Sequence, residues 1–152
     1  MVVRMIVFLV INFIGLGLGG FFTGAGVNSD WYSRMNQAPW TPPGWVFGAA
    51  WFTIMVCFAV YMAYAHNESQ NKTQLLVLFG IQWVLNFAWN PVFFEFQAVL
   101  FALILIVTLT ILVGYFLIHG WKLIHYKTLL IAPYFIWLLI ATSLNAYIYL
   151  KN

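Results

Sequence analysis

Three side-chain amides stand in a row in the middle of an apolar stretch of this sequence. Gln82, Asn86 and Asn90 follow one another at steps of four, which places them on one face of a helix, with Trp83 and Trp89 beside them. Amides buried in an apolar medium are costly unless they bond to another helix, a water or a ligand. The row alone therefore indicates either contacts between helices or a cavity, and leaves both open.

A second chemically informative stripe lies in the last apolar stretch. Its members fall at steps of three and four and combine large aromatics, a small residue and an amide: Tyr134, Trp137, Ala141 and Asn145. Trp51 and Phe47 occupy the corresponding part of an earlier stretch. We therefore expect three helices to line a mostly apolar chamber with a few placed polar groups, which is typical of ligand pockets.

Conventional catalysis finds no support. The acidic and imidazole side chains all fall near the ends of apolar stretches: Asp30, Glu68, Glu95, His66, His119 and His125. No carboxylate pair, nucleophile with a base, or metal-ligand cluster can be read from this placement. The single Cys57 is best interpreted as a small buried hydrophobe, and because only it could serve as a mid-membrane axial ligand, haem is disfavoured too. The sequence predicts no metal.

The composition places the chain in a membrane. It is 64% apolar and 6% charged, whereas soluble proteins carry roughly a quarter charged residues. The net charge of +3 comes from only six Lys and Arg at segment ends, so nucleic-acid binding has no support. No charge falls inside an apolar stretch, which argues against a pump or an ion channel.

Five apolar windows are long enough to cross a bilayer, and they predict an all-α membrane protein. We expect a five-helix bundle forming a single transmembrane domain over 1–152, with helices at about 3–22, 43–64, 74–93, 98–119 and 127–149. The glycine-rich stretch Gly24 to Asn28 is expected to end the first helix, and Thr41 to cap the second. The short turn near Phe96 predicts that the third and fourth helices are antiparallel neighbours.

The connection at about 24–42 is long and aromatic, and we expect it to fold as a lid rather than to be disordered. Ser29 is predicted to cap a short helical turn that carries Trp31, Met35 and an Asp30/Arg34 pair.

Charges and small residues give two further expectations. Four of the six Lys and Arg fall on the side of the N-terminus, which favours an N-terminus inside and the aromatic loop outside. Close glycine pairs, Gly15/Gly19 and Gly20/Gly24, let a neighbouring backbone approach closely, and the small face of the third helix around Gly80 favours a homodimer. The sequence leaves open whether the neighbouring backbone belongs to the same chain or to a second copy.

The aromatic motifs resemble one family along the whole chain. Trp31-Tyr32, the run from Pro39 to Gly44, Trp51, the segment from Leu85 to Phe94 and that from Pro133 to Asn145 are similar to the tryptophan-rich sensory protein or translocator protein family, once called the peripheral-type benzodiazepine receptor. The resemblance implies a five-helix membrane protein, commonly dimeric, that binds porphyrins such as protoporphyrin IX. Some members bind sterols and synthetic benzodiazepine-type ligands, and some bacterial members promote light-dependent oxidative porphyrin breakdown.

The resemblance also implies a site between the first loop and the upper halves of the helices. Trp51 and Trp137 match the tryptophans tied to porphyrin breakdown, the only candidates for a catalytic role. The full set of expected ligand-binding residues is Trp31, Tyr32, Arg34, Trp40, Phe47, Trp51, Asn86, Trp89, Asn90, Tyr134, Trp137, Ala141 and Asn145. Leu144, Tyr147 and Lys151 match the loose sterol pattern, for which an interfacial Tyr and a snorkelling Lys is the simpler interpretation.

Two functions follow as expectations. The first is a porphyrin-binding sensor or stress protein of the bacterial cell membrane, with photo-oxidative porphyrin degradation, in which porphyrin is the ligand or substrate and no cofactor is required. The second is a translocator or scaffold for tetrapyrrole, sterol or other lipid-like ligands without catalysis. A purely structural role would predict a collapsed cavity.

Overall fold

The computed structural model describes residues 1–152, and they form a bundle of helices. The long helices are α1 (Val2–Val27), α3 (Gly44–Glu68), α4 (Lys72–Asn90), α5 (Val99–Ile124) and α6 (Ala132–Lys151), and α2 (Asp30–Arg34) is a short helix in the first connection. A π-helical turn (Pro91–Glu95) extends α4, and a 3-10 segment (His125–Ile131) leads into α6.

The helices give five membrane spans. Four helical stretches are long and apolar enough to cross a bilayer, and the last of them, Val99–Lys151, is 53 residues long. A straight helix of that length would reach about 80 Å, far more than a hydrocarbon core of about 30 Å. The chain reverses at His125, whose φ is 53°, so α5 and α6 cross separately. The predicted all-α architecture with five helices is confirmed, and the chain is an integral membrane protein.

The five long helices form a ring. Around it, α1 is followed by α3, α6, α5 and α4, and α4 closes the ring on α1. The predicted side-by-side packing of α4 and α5 is confirmed. The inner faces of α3, α5 and α6 meet in the core of this ring, where Phe58, Tyr61, Phe116 and Tyr134 are almost fully buried.

Polar side chains join pairs of helices inside the membrane. The Asn12 amide of α1 donates to the Met55 carbonyl of α3 over 3.1 Å, and the Trp83 indole of α4 donates to the Ile11 carbonyl of α1 over 3.0 Å. The Tyr61 hydroxyl of α3 donates to the carbonyl of Phe116 in α5 over 2.8 Å. In hydrocarbon such bonds satisfy groups that no water can reach, and they fix the register of the helices.

The end of α1 differs from the prediction. The helix continues through the glycine-rich stretch to Val27. Gly26 is buried under the ring of Phe94, so closely that a Cβ atom there would overlap the ring. Gly26 therefore permits a close contact with the α4–α5 turn, and this tertiary contact outweighs the low helix propensity of glycine.

Three other boundaries differ as well. α4 changes to a π turn at Pro91, which has no N–H to continue the α-helical hydrogen bonds. α6 becomes α-helical only at Ala132, with Pro133 in its first turn, where a missing N–H has no cost. The predicted cap of α3 is wrong: α3 begins at Gly44 after Pro43, and the Thr41 hydroxyl donates instead to the Ala38 carbonyl.

Charged side chains separate by end of the bundle. The end that carries the N-terminus, here the basic end, holds Arg4, Lys72, Lys122 and Lys127 with a single carboxylate, Glu68. Arg4 donates to Asn67 at the end of α3, and the Lys127 ammonium lies 4.2 Å from the centroid of the Tyr64 ring. The opposite end, here the loop end, holds two cations, Arg34 and Lys151, and two carboxylates, Asp30 and Glu95.

Candidate ligand-binding site

Aromatic side chains from α3 and α6 meet at the centre of the ring. Trp51 packs edge-on against Tyr134 with 6.0 Å between ring centroids, and Phe47 packs against Trp137 at 5.2 Å. Tyr134 also contacts Phe58, at 5.4 Å. Four of the predicted site residues are thus brought together in two layers, one about a helical turn from the other.

The amide row of α4 resolves into different roles. Gln82 is buried and lies 2.6 Å from the Tyr134 hydroxyl, so it joins α4 to α6. The Asn90 carbonyl oxygen accepts from the Thr23 hydroxyl of α1 over 2.6 Å, and its amide nitrogen donates to the Asn86 carbonyl over 3.2 Å. The Asn86 side chain itself makes no hydrogen bond within the chain. Two of the three amides join helices, and the middle one is free.

Asn145 is fully used by the fold. It is buried, its Oδ1 accepts from the Trp89 indole over 3.0 Å, and its Nδ2 donates to the Val99 carbonyl over 3.1 Å. Trp89 in turn stacks on Phe93, with ring centroids 5.0 Å apart. Asn145 therefore fixes the position of Trp89, and both the oxygen and the nitrogen of its side-chain amide are bonded inside the chain.

Several inward-facing residues are only part-buried. Phe47, Trp51, Trp89 and Ala141 pack against the central core without being enclosed by it, and Asn86 is also half-buried. The indole N–H groups of Trp51 and Trp137 have no partner within the chain, although neither nitrogen is sealed inside it. An indole N–H with no partner costs free energy in hydrocarbon. This level of the bundle therefore has unused hydrogen-bonding capacity as well as accessible aromatic surface.

The first connection packs across the end of α4. Ser29 caps α2, as predicted, by accepting from the Tyr32 backbone N–H over 3.2 Å. Trp31 then packs against Phe93 at 5.6 Å, and Tyr32 against Phe94 at 5.7 Å. Burial raises the pKa of the Tyr32 hydroxyl above 10.0, so this group is a neutral hydrogen-bond donor at ordinary pH.

The second part of the connection lies along α6. The Trp40 indole donates to the Ser143 hydroxyl over 3.1 Å and packs edge-on against Tyr147 at 5.4 Å. The Asn36 backbone N–H donates to the Asn152 side chain over 2.8 Å. These contacts hold the connection on the loop end of α6, while the Arg34 side chain is exposed beside it.

The sterol-pattern residues lie in different surroundings. Leu144 is buried, Tyr147 is covered by Trp40, and only Lys151 is exposed. A sterol at this position would have to displace Trp40. The sterol assignment stays a prediction.

A groove opens between α3 and α6 toward the lipid side. Its volume is about 360 Å³, and its walls are almost wholly apolar. Trp137, which is 6% exposed, is one of its lining residues. The same indole that contacts Phe47 inside the bundle therefore also borders this groove.

Sequence reasoning did not assign a role to Ser143 or Thr23. Both hydroxyls bond to predicted site residues, Ser143 to Trp40 and Thr23 to Asn90. No sequence signal pointed to either one, because hydroxyls are common in membrane helices and only the packing shows which ones have a partner on another helix.

The site consists mainly of aromatic and amide side chains. No group of three or more His, Cys, Asp or Glu side chains is placed to hold a metal ion. The site provides aromatic surface, the free amide of Asn86, the free indole N–H groups of Trp51 and Trp137, and the Tyr32 hydroxyl. These groups can bind a flat, largely apolar molecule that carries a few polar atoms.

Comparison with known proteins identifies the family. The TspO/MBR family profile matches residues 6–150, which is nearly the whole chain. The chain belongs to the TspO/MBR family, and the resemblance in its aromatic motifs is confirmed.

Individual relatives span most of the chain. It is 36% identical over 137 residues to the tryptophan-rich protein TspO of Archaeoglobus fulgidus, covering 88% of this chain and 87% of the relative. It is 31% identical over 124 residues to the tryptophan-rich sensory protein of Cereibacter sphaeroides, covering 81% and 78%. The human translocator protein is 26% identical over 141 residues, covering 88% and 83%.

Proposed function

We propose that this protein binds a porphyrin, with protoporphyrin IX as the reference ligand, between the first connection and the inner faces of α3, α4 and α6. The observation that carries the proposal is the part-buried aromatic level of the bundle, where Trp51 and Trp137 have free indole N–H groups and Asn86 has a free amide. Membership in the TspO/MBR family supports it.

The residue types fit the ligand. A porphyrin is a flat apolar macrocycle, so the faces of Trp51, Phe47 and Trp137 can stack on it. Its propionates are anionic, and the exposed Arg34 guanidinium can pair with a carboxylate in two parallel hydrogen bonds. Tyr32 adds a neutral donor at the same end. Trp89, Asn90, Tyr134 and Asn145 hold these residues in position through their contacts with one another and with α1 and α5.

We propose further that light drives oxidative breakdown of the bound porphyrin. An excited porphyrin can take an electron from a nearby indole or transfer its energy to molecular oxygen, which is the oxidant in this scheme. Trp51 and Trp137 are the candidate indoles. This chemistry requires no acid–base set, in agreement with the residues that form the site.

The test compares illuminated protoporphyrin IX with wild type and with the double variant Trp51→Phe/Trp137→Phe. Wild type should shift the porphyrin spectrum in the dark and bleach it in light and oxygen, and the variant should bleach it much more slowly. The matched control is Trp45→Phe/Trp121→Phe, because these indoles are 75% and 53% exposed on the outer surface.

Each part of the proposal can fail separately. Equal bleaching by wild type and the Trp51/Trp137 variant would remove the photochemical part. If protoporphyrin IX also fails to quench tryptophan fluorescence of the wild type in the dark, then binding itself is wrong.

A translocator for lipid-like solutes is the second candidate, favoured by the groove between α3 and α6 that opens to the lipid side. Flux of labelled porphyrin or sterol across vesicles separates the two functions, because a binder or a degrader need not move its ligand across the membrane.

We place the protein in a bacterial cell membrane with the basic end inside. Four cations against one carboxylate at that end support this orientation by the positive-inside rule. A tag after Asn152 should then react with reagents from outside the cell, and a tag reached only from the cytoplasm would reverse the assignment.

We also propose a homodimer, through a face that the fold leaves free. Gly15 and Gly19 are occupied by Trp83 and Asn90 of the same chain, whereas Gly20, Gly24 and Gly80 face open space. The free faces of α1 and α4 are therefore the candidate interfaces. Cysteine cross-linking in vesicles from position 80 and from position 20 would identify which one is used.

A further inference from the structure

The first connection is held at the loop end of the bundle by contacts on two sides. Trp31 and Tyr32 pack on Phe93 and Phe94, and the later part of the connection bonds to Ser143 and Asn152 of α6. A large ligand that came from the aqueous phase would have to break the aromatic contacts or the hydrogen bonds of this connection.

The side of the bundle between α3 and α6 is built differently. The groove there holds about 360 Å³, and α3 lines it with the small side chains Ala49 and Ala50. Trp137 lines the groove and belongs to the candidate site. Its side chain is only 6% exposed, and its ring contacts that of Phe47 at 5.2 Å. A single indole thus borders both the groove and the candidate site.

The start of α6 lies beside this groove. Pro133 lines the groove and stands in the first turn of α6, where its missing N–H has no cost. The seven residues before α6 form a 3-10 segment, which has poorer hydrogen-bond geometry than an α-helix. Movement of the start of α6 therefore breaks fewer good hydrogen bonds than movement of any interior turn of an α-helix.

From these features we infer that the ligand reaches the interior site sideways from the bilayer, passing between α3 and α6 at Ala49 and displacing Trp137. The inference rests on the proposed function and assigns its access route. A macrocycle that is mostly apolar concentrates in hydrocarbon, and the groove walls offer it an apolar path. Loop opening is not required on this route.

The test blocks the groove after the protein has folded. Ala49→Cys is made in a Cys57→Ala background, reconstituted in phosphatidylcholine vesicles and modified with a benzyl methanethiosulfonate. Protoporphyrin IX is then mixed in, and quenching of tryptophan fluorescence gives the association and dissociation rates. A blocked route should slow both rates at least fivefold, leave the dissociation constant unchanged, and recover when a reducing thiol removes the benzyl group.

Two controls separate this route from others. Ile111→Cys, modified in the same way, places the group on the outer face of α5, where Ile111 is 69% exposed, and should leave both rates unchanged. Ser143→Ala/Asn152→Ala loosens the first connection and should also leave the association rate unchanged. Faster association in that variant would show access from the loop end and overturn the inference.

The remaining outcomes are also decisive. Unchanged rates in the modified Ala49→Cys protein overturn the lateral route while binding stands. A changed dissociation constant with an unchanged association rate also overturns it, because the groove would then belong to the binding site. Absence of any quenching in wild type refutes the proposed function itself, so the two failures are distinguishable.

Discussion

The Trp89 indole donates its N–H to Asn145 Oδ1 over 3.0 Å and thereby joins α4 to α6. The same asparagine donates to the Val99 carbonyl of α5. One buried side chain therefore joins three helices, and it holds Trp89 of the candidate site in place.

Asn145→Ala should lower the free energy of unfolding by about 2 kcal/mol, because it leaves the Trp89 N–H without a partner in an apolar setting and removes the bond to the Val99 carbonyl. Thermal unfolding in detergent, followed by tryptophan fluorescence, measures the loss. Asn28→Ala is the control, since the exposed Asn28 side chain bonds only to its own helix, at Gly24. Equal losses in the two variants would contradict the three-helix role of Asn145.

The same substitution should affect ligand affinity at Asn86 and protein stability at Asn90. Asn86→Leu removes a free amide, so protoporphyrin IX affinity should fall about five- to tenfold while stability is retained. Asn90→Leu removes the bond from Thr23, so stability should fall by about 1 kcal/mol. Fluorescence titration and thermal unfolding of both variants give the comparison. A loss of stability in Asn86→Leu without loss of affinity would remove Asn86 from the site.

Gly26→Ala should destabilise the protein by about 1–3 kcal/mol, because the added Cβ overlaps the Phe94 ring. Phe94→Leu in the same chain should restore part of the loss by making room. Gly20→Ala is the matched control: nothing lies within 4 Å of a Cβ there, so the helix should gain up to about 1 kcal/mol. The prediction is wrong if both single variants change stability in the same direction.

Tyr32 should titrate above pH 10.0, because burial raises the pKa of its hydroxyl. Because the pKa of Tyr32 is raised in the folded state, the stabilisation that its neutral hydroxyl contributes is complete below the pKa of the unfolded chain. It is lost as the pH rises through the pKa of the folded protein. The difference in tyrosinate absorbance between wild type and Tyr32→Phe isolates this group. Its midpoint should lie above 10.0 in mild detergent and return to the ordinary value in a denaturing detergent. Equal midpoints would show that α2 does not pack on Phe94.

The parts of the fold that the sequence predicted are those set by local rules. Five spans follow from the length of the apolar windows, and the α2 cap follows from Ser29 standing before a short polar helix. The continuation of α1 through Gly26 and the start of α3 after Pro43 could not be predicted in this way. Each depends on a contact with a distant part of the chain, Phe94 for α1 and α6 for the connection before α3.

The candidate site shows the same division. The spacing of Tyr134, Trp137 and Asn145 was sufficient to place them on the inner face of α6, where the structure has them buried. Spacing gave no way to decide which amides are occupied. Gln82 and Asn86 have the same chemistry on the same face, and only the position of the Tyr134 hydroxyl makes one a helix contact and leaves the other free.

The unequal charge of the two bundle ends has an energetic consequence. The basic end carries three more positive side-chain charges than the loop end, where cations and carboxylates are equal in number. Reversing the protein in a membrane would move this excess across the full potential, at about 2.3 kcal/mol per charge for each 100 mV. In an energised membrane the potential itself thus favours one topology by about 7 kcal/mol per 100 mV, with the aromatic connection on the positive side.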